Sequence, residues 1–279
     1  MKRLLKDING LTIVKYVILI ALFVIVLFPL FWLLISSFKT EKEIIGFPPS
    51  IVGTSYTMKS FIRIFTNIPF GEYIKNTVIF AGGSTLLAVT FDSMAGYAFA
   101  RLDFKGKNVV FMLILLTMMV PFQVMMIPLF LESNYLGLLN TYPGLILPKA
   151  TTAFGIFMMR SYFTALPKDL EEAARVDGLS EWKIFWRIML PLVKPGVITL
   201  AIFHLMTNWN DLLYPLMMTS TSRMRTLASG LALFVGEHAT TYYGPQLAGA
   251  LISIAPLLIL YAFFQKYFIA SAATSGMKD

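Results

Sequence analysis

An all-α protein embedded in a membrane is the fold class this sequence predicts, and three observations predict it. Of the 279 residues, 57% are hydrophobic and only 14% charged, where soluble domains carry roughly 25% charged residues. Mean hydropathy is +0.72, too high for a soluble fold of this length to cover its own surface with polar groups. The apolar residues also come in runs, and a helix of about 20 apolar residues crosses the roughly 30 Å hydrocarbon layer. Six runs, at about 16–37, 74–99, 109–131, 143–162, 196–219 and 246–268, predict six transmembrane helices in one membrane domain covering 1–279.

The first run follows Lys2, Arg3, Lys6 and Lys15, as a signal peptide would. Its apolar stretch exceeds the usual h-region of about 7–15 residues and lacks a small-residue cleavage site, which predicts a retained anchor. The second run carries Gly82, Gly83 and Ser84, a small patch suited to close helix contact. Pro121 and Pro128 fall in the third, Pro143 and Pro148 open the fourth, and Pro215 and Pro256 sit in the last two. Each proline removes a backbone hydrogen bond and tends to kink its helix, a defect neighbouring helices absorb.

Most Lys and Arg residues collect on one side if the N-terminus is cytoplasmic, so the excess-cation rule places both chain ends and the loop 166–195 inside the cell. The net charge of +8 then reflects cytoplasmic loops and anionic lipid, with no nucleic acid implied.

That loop is the charged exception in an apolar chain: "LPKDLEEAARVDGLSEWKIFWRIMLPLVKPG", Leu166 to Gly196. Leu166, Leu170, Ala173 and Ala174 recur at one helical face, and Asp169, Glu171 and Glu172 suit an N-terminal half by the helix dipole. Asp177-Gly178 predicts a left-handed stop. Ser180 is placed to cap a second helix with the apolar stripe Trp182, Phe185, Trp186 and Met189, which Pro191 and Pro195 terminate. Ala173 and Ala174 would let a partner approach closely, with Glu172 and Arg175 offering directional polar contacts. On periodicity alone, a plain surface helix and an interfacial aromatic helix are equally open readings.

Chemistry by this chain alone has little support. There is no cysteine, and neither His204 nor His238 has a partner at metal-ligand spacing. No G-x-x-x-x-G-K-[ST], H-E-x-x-H or G-x-S-x-G is present, so neither ATP binding by a P-loop nor hydrolytic catalysis is indicated. A self-sufficient secondary transporter usually shows repeated halves, and no repeat is visible here.

The stretch "EAARVDG" followed by "IFWRIMLPLVKPG" resembles the EAA motif of the permease subunits of ATP-binding-cassette importers. Glu172, Ala173, Ala174, Gly178 and Pro191 match at the family's spacing. "NTVIFAGGSTLLAVTFDSMAGYAFARLDFKGK", "MMVPFQVMMIPLF", "LGLLNTYPGLILP" and "NWNDLLYPL" are similar to the carbohydrate-uptake branch, particularly its shorter, maltose-type second permease. The resemblance implies an importer-permease fold whose cytoplasmic EAA loop is a coupling helix, with Glu172, Ala173, Ala174, Arg175, Asp177 and Gly178 at the ATPase-coupling surface. It also implies a second permease subunit, two ATPase subunits that carry ATP and Mg, an extracytoplasmic sugar-binding protein, and a bacterial or archaeal cytoplasmic membrane. No cofactor is expected on this chain itself. The loop Ser220–Gly244 resembles the external loop that reaches toward the binding protein, and "ATSGMKD" loosely resembles the family tail.

Ionisable residues inside spans cost roughly 2.5–3.5 kcal/mol on insertion scales, so each calls for a reason. Asp92, Lys149 and Asp211 are the candidates. Asn208, Trp209, Asn210 and Asp211 together offer amides, a carboxylate and an aromatic face, the groups that match sugar hydroxyls and C–H faces. Sugar contact and interhelical packing are both open readings of that segment.

Overall fold

The computed structural model describes residues 10–237 and 242–275. Lys2, Arg3, Lys6, His238 and the last four residues, Gly276 to Asp279, lie outside the described residues. Among those described, the only extended pairing is a bridge between Lys39 and Tyr56, and the rest of the regular structure is helical.

The principal helices are α1 (Gly10–Phe38), α2 (Phe70–Arg101), α3 (Lys107–Thr117), α4 (Phe122–Tyr135), α5 (Ala153–Thr164), α6 (Asp169–Val176), α7 (Glu181–Leu192), α8 (Lys194–Trp209), α9 (Leu213–Met218), α10 (Leu227–Glu237) and α11 (Tyr243–Ser275). Two compact units emerge, one from residues up to Ile68 with Phe234–Ala255, the other from Pro69–Leu233 with residues from Pro256 onward.

In the first unit, α1 is apolar all round and exposes nearly every side chain, as a helix solvated by lipid should. Its end is pinned by Lys39, whose Nζ donates to the Ser50 carbonyl at 2.5 Å and lies 4.7 Å from the Trp32 ring centre. Glu41 accepts the backbone N–H groups of Tyr243 and Gly244 at 2.7 and 3.1 Å, satisfying the open donors at the start of α11.

The second unit is organised around α2, α5 and α8. At Gly96 the α5 backbone passes so close that an added Cβ would lie 2.6 Å from the Met159 Cβ, so only glycine fits there. The Gly82–Ser84 patch contributes less: Ser84 is buried and Gly83 abuts Ile146, while Gly82 borders open space. A core of Tyr97, Met159, Phe163, Ile184, Met189 and Leu200 joins these helices to the 166–196 loop.

The expected six crossings are not six continuous helices. Among the described residues three helices, α1, α2 and the 243–263 part of α11, are long and apolar enough to span alone, and the number rises to five if each bent pair counts once. The pair α3–α4 bends by 100° just before Pro121, and α7–α8 bends by 81° at Val193 between Pro191 and Pro195. The expected fourth crossing is split into Tyr142–Ile146, a tight 3-10 turn at Leu147–Lys149, and α5. At the two bends proline is the physical cause, since it cannot supply the N–H that would carry the ladder through. In the fourth crossing Pro148 sits in the 3-10 turn, while Thr152 caps the helix that follows. Pro128 and Pro256, by contrast, lie within continuous helices.

Candidate functional site

Two constellations hold the residues singled out by the sequence. The first is the loop 166–196. α6 begins after Lys168 with Asp169, Glu171 and Glu172 in its first turn. It ends in a Schellman closure: Gly178 N–H donates to the Arg175 carbonyl and Leu179 N–H to the Ala174 carbonyl, both at 3.0 Å. Gly178 sits at φ +77°, the left-handed conformation the sequence calls for, with open space where a Cβ would be.

Around that turn runs a line of charge. Arg101, at the end of α2, pairs with Glu171 at 3.0 Å, both side chains 4% exposed. Glu171 continues to Arg175 at 3.4 Å, and Arg175 reaches Glu181 at 2.6 Å. Glu181 also accepts the Tyr97 hydroxyl at 3.0 Å. The Arg101 guanidinium further donates to the Phe163 carbonyl at 2.6 Å and to that of Leu166, so one side chain binds α2, the end of α5 and α6 together. Burial pushes the Glu171 carboxyl up, opposed by Arg101 and Arg175. The Arg175 hydrogen bond, aided by Tyr97, holds Glu181 below the ordinary glutamate value.

Several expectations for this loop need correction. Ala174 does not face outward: it is 4% exposed and packed in the core beneath the loop. Arg175 keeps an exposed position at the surface while also bonding Glu181 and Glu171 within the chain. Ser180 occupies the cap position of α7, but its side chain makes no capping hydrogen bond. The aromatic stripe is broken as well. Phe185 to Met189 forms a π-turn, and Phe185 and Met189 are buried while Trp182 remains 59% exposed. The extra residue in that turn rotates the face, and Pro191, which has no N–H, stands two residues beyond it. Exposed on α6 and its turn are Asp169, Leu170, Glu172, Ala173, Arg175, Val176, Asp177 and Gly178, with Glu171 and Ala174 buried beneath them.

The second constellation lies in the span region. Asp92 is fully buried on α2 and accepts the Thr151 hydroxyl at 2.6 Å, the Thr152 N–H at 3.0 Å and the Thr152 hydroxyl at 3.1 Å. His204 of α8 completes the group, its Nε2 3.3 Å from Asp92 and 3.2 Å from the Thr152 hydroxyl. Sequence spacing gave no sign of this role for His204, because its partners come from two other segments. Among the described residues no three His, Cys, Asp or Glu side chains could hold a metal ion together.

Lys149 and Asp211, the other two charges, pair with each other at 2.8 Å. α8 stops at Trp209, Asn210 closes it, and Asp211 accepts the Tyr214 N–H at 3.2 Å to start α9. The four residues of the expected sugar segment therefore diverge. Trp209 is buried, Asn210 is exposed and donates to the Met206 carbonyl at 2.9 Å, and Asp211 is partly exposed. Asn208 is buried, with an Nδ2 that makes no hydrogen bond among the described residues.

Long apolar helices, bent partners and charge pairs held between helices define an integral membrane protein. Residues 93–272 match the family described as the binding-protein-dependent transport system inner membrane component, and the chain belongs to that family. It is 38% identical over 257 residues to the arabinooligosaccharides transport system permease protein AraQ of Halalkalibacterium halodurans, covering 91% of this chain and 92% of that one. It is 34% identical to the trehalose/maltose transport system permease protein MalG of Thermococcus litoralis, covering 91% and 92%. To the diacetylchitobiose uptake system permease protein NgcG of Streptomyces coelicolor it is 32% identical, covering 94% and 87%. In fold it is similar, at a TM-score of 0.84 and 24% identity, to a chain of a bacterial ABC transporter involved in the import of the acidic polysaccharide alginate, covering 94% of this chain and 98% of that one. It is a multi-pass membrane permease component of an ABC importer.

Proposed function

We propose that this chain is one of two permease subunits of an importer for mono- or oligosaccharides, fed by an extracytoplasmic binding protein and driven by two separate ATPase subunits that dock on the loop 166–196. The carrying observation is the Arg101 junction. A push on the exposed edge of α6, at Glu172, Ala173 and Asp177, is delivered through Glu171 and Arg101 to the ends of α2 and α5. Through α7 and the bend at Val193 it also reaches α8. The loop is thus built stiff and is joined to all three helices of the core. Glu172 is the polar anchor for the ATPase and Gly178 the turn that aims the helix. ATP and Mg belong to the partner, and this chain performs no catalysis. Both chain ends and the loop face the cytoplasm.

The test is reconstitution. Purified alone, the chain is expected to hydrolyse no ATP; in proteoliposomes with its partners it is expected to support hydrolysis stimulated by the loaded binding protein. Hydrolysis by the isolated chain, or no stimulation in the complete complex, overturns the reading. Cysteine labelling at Lys105 and Ser180 from the inside, and at Ser55 and Asn134 from the outside, checks the orientation; the reverse pattern contradicts it.

A further inference from the structure

Three of the helices in the span region are broken, and the breaks meet at one place. Phe122 is the first helical residue after the bend between α3 and α4, Lys149 lies in the 3-10 turn before α5, and Asp211 lies in the gap between α8 and α9. Lys149 Nζ is 2.8 Å from Asp211 Oδ2, 5.1 Å from the Phe122 ring centre and 4.7 Å from that of Tyr214. The Phe122 and Tyr214 rings stand edge to face at 6.1 Å. Irregular backbone at membrane depth leaves polar groups free of the helical ladder, and it persists only where protein buries it or where it lines a polar passage. Here it is not fully buried: the Lys149 and Asp211 side chains are 23% and 15% exposed.

We propose that this junction is where the substrate passes, with Lys149 and Asp211 acting as a fixed donor–acceptor couple for the hydroxyls of an uncharged saccharide and Phe122 as the ring beneath its C–H face. The proposal rests on the sugar-permease reading and specifies its substrate class. An ammonium has three donors and a carboxylate about four acceptor sites. Their mutual bond therefore leaves donors and acceptors to offer vicinal hydroxyls. The couple carries no net charge, so it gives an acidic or phosphorylated sugar no uncompensated cation. Tyr214, fully buried with its hydroxyl donated to the Gly144 carbonyl, backs the pair and holds it in place.

The complete importer in proteoliposomes tests this, with labelled arabinobiose, maltose and diacetylchitobiose as neutral probes and an alginate disaccharide as the acidic one. The wild-type complex is expected to move at least one neutral probe and to reject the acidic one; preference for the acidic one overturns the proposal. K149M/D211N removes both charges together, leaving no lone charge in the site, and keeps an oxygen for the Tyr214 N–H. A pair serving packing alone tolerates that exchange, whereas a sugar-binding couple loses transport by about tenfold or more, the scale of lost charge-assisted hydrogen bonds. F122L, which keeps an apolar side chain without the ring, is expected to raise KM for the neutral probe in an assembled complex, and it decides the matter if the double variant does not assemble. Wild-type transport and selectivity in both variants overturn the proposal. If both of those variants are wild type while N208A or N210A abolishes transport in an assembled complex, only this assignment falls and the sugar path stands. Should the wild-type complex move none of the probes, the sugar reading falls and this assignment with it.

Discussion

Glu171 and Glu172 are neighbours in sequence and opposites in use. Glu171 is 3% exposed and clasped between Arg101 and Arg175, while Glu172 points outward from the same turn with neither guanidinium in reach. One residue step turns a helix by about 100°, enough to carry a carboxylate from the interior of the fold to its surface. The comparison separates two jobs that sequence runs together. The inner face of the loop ties it to the core, and the outer face stays exposed, where the proposed ATPase contact falls.

Breaking the inner face should have the largest effect. Arg101→Ala leaves Glu171 buried without its main partner and releases two carbonyls at the end of α5. Removing one side of a buried pair costs about 3–5 kcal/mol, so the variant should give poor yield and a lowered Tm in detergent. A wild-type melting profile would show that the junction is not structural.

Gly178→Val comes next. No atom lies in the way of the new side chain, so the penalty is conformational: a β-branched residue at φ +77° costs of order 1–3 kcal/mol. The variant should insert and assemble weakly, with uptake sharply reduced. Uptake equal to wild type argues against a fixed turn.

Glu172→Lys sharpens the contrast most. Changes at exposed positions usually stay within about 0.5 kcal/mol, so stability should hardly move while ATPase association and uptake fall. A Glu172→Lys variant that loses stability instead places this residue on the inner face.

The smallest effect is on pH. Glu181 is held below the usual glutamate value chiefly by its hydrogen bond to Arg175. A depressed carboxyl contributes stability that is present above the ordinary value near 4.5 and is lost as pH falls through the lowered one. Protection of the amides of residues 176–182, taken relative to their intrinsic exchange rates, should therefore fall only below about pH 4.5. No change down to pH 3 would mean the Arg175–Glu181 bond contributes nothing to the turn.

How much of this was legible in the sequence follows from which contacts are local. The Schellman turn at Gly178 was legible, because helix, stop and restart are written within a dozen residues. The proline pattern was legible only in part: it marks the bends at Pro121 and Pro191–Pro195, but Pro128 and Pro256 lie in continuous helices and the gap before α9 holds no proline. The buried face of α6 was not legible. Periodicity chose Leu166, Leu170, Ala173 and Ala174, yet Leu170 is 39% exposed and Glu171 is buried in its place. The reason is Arg101, some 70 positions earlier, which makes burial of a carboxylate tolerable. The role of Glu181 was not legible for the same reason, since its partners Tyr97 and Arg175 become visible only in three dimensions. In the spans, Lys149 and Asp211 each called for a reason, but the sequence does not show that they pair with each other.

The central claim is that the outer edge of α6, and not its inner face, meets the ATPase. Cysteine crosslinking in the assembled complex tests it directly, comparing Ala173→Cys with Ala174→Cys beside a measurement of uptake. Ala173→Cys is predicted to crosslink to the ATPase subunit in high yield and Ala174→Cys, buried against Phe163 and Phe185 in the same core, to give little. Crosslinking from Ala174→Cys with none from Ala173→Cys, or from neither while uptake is normal, would contradict the account.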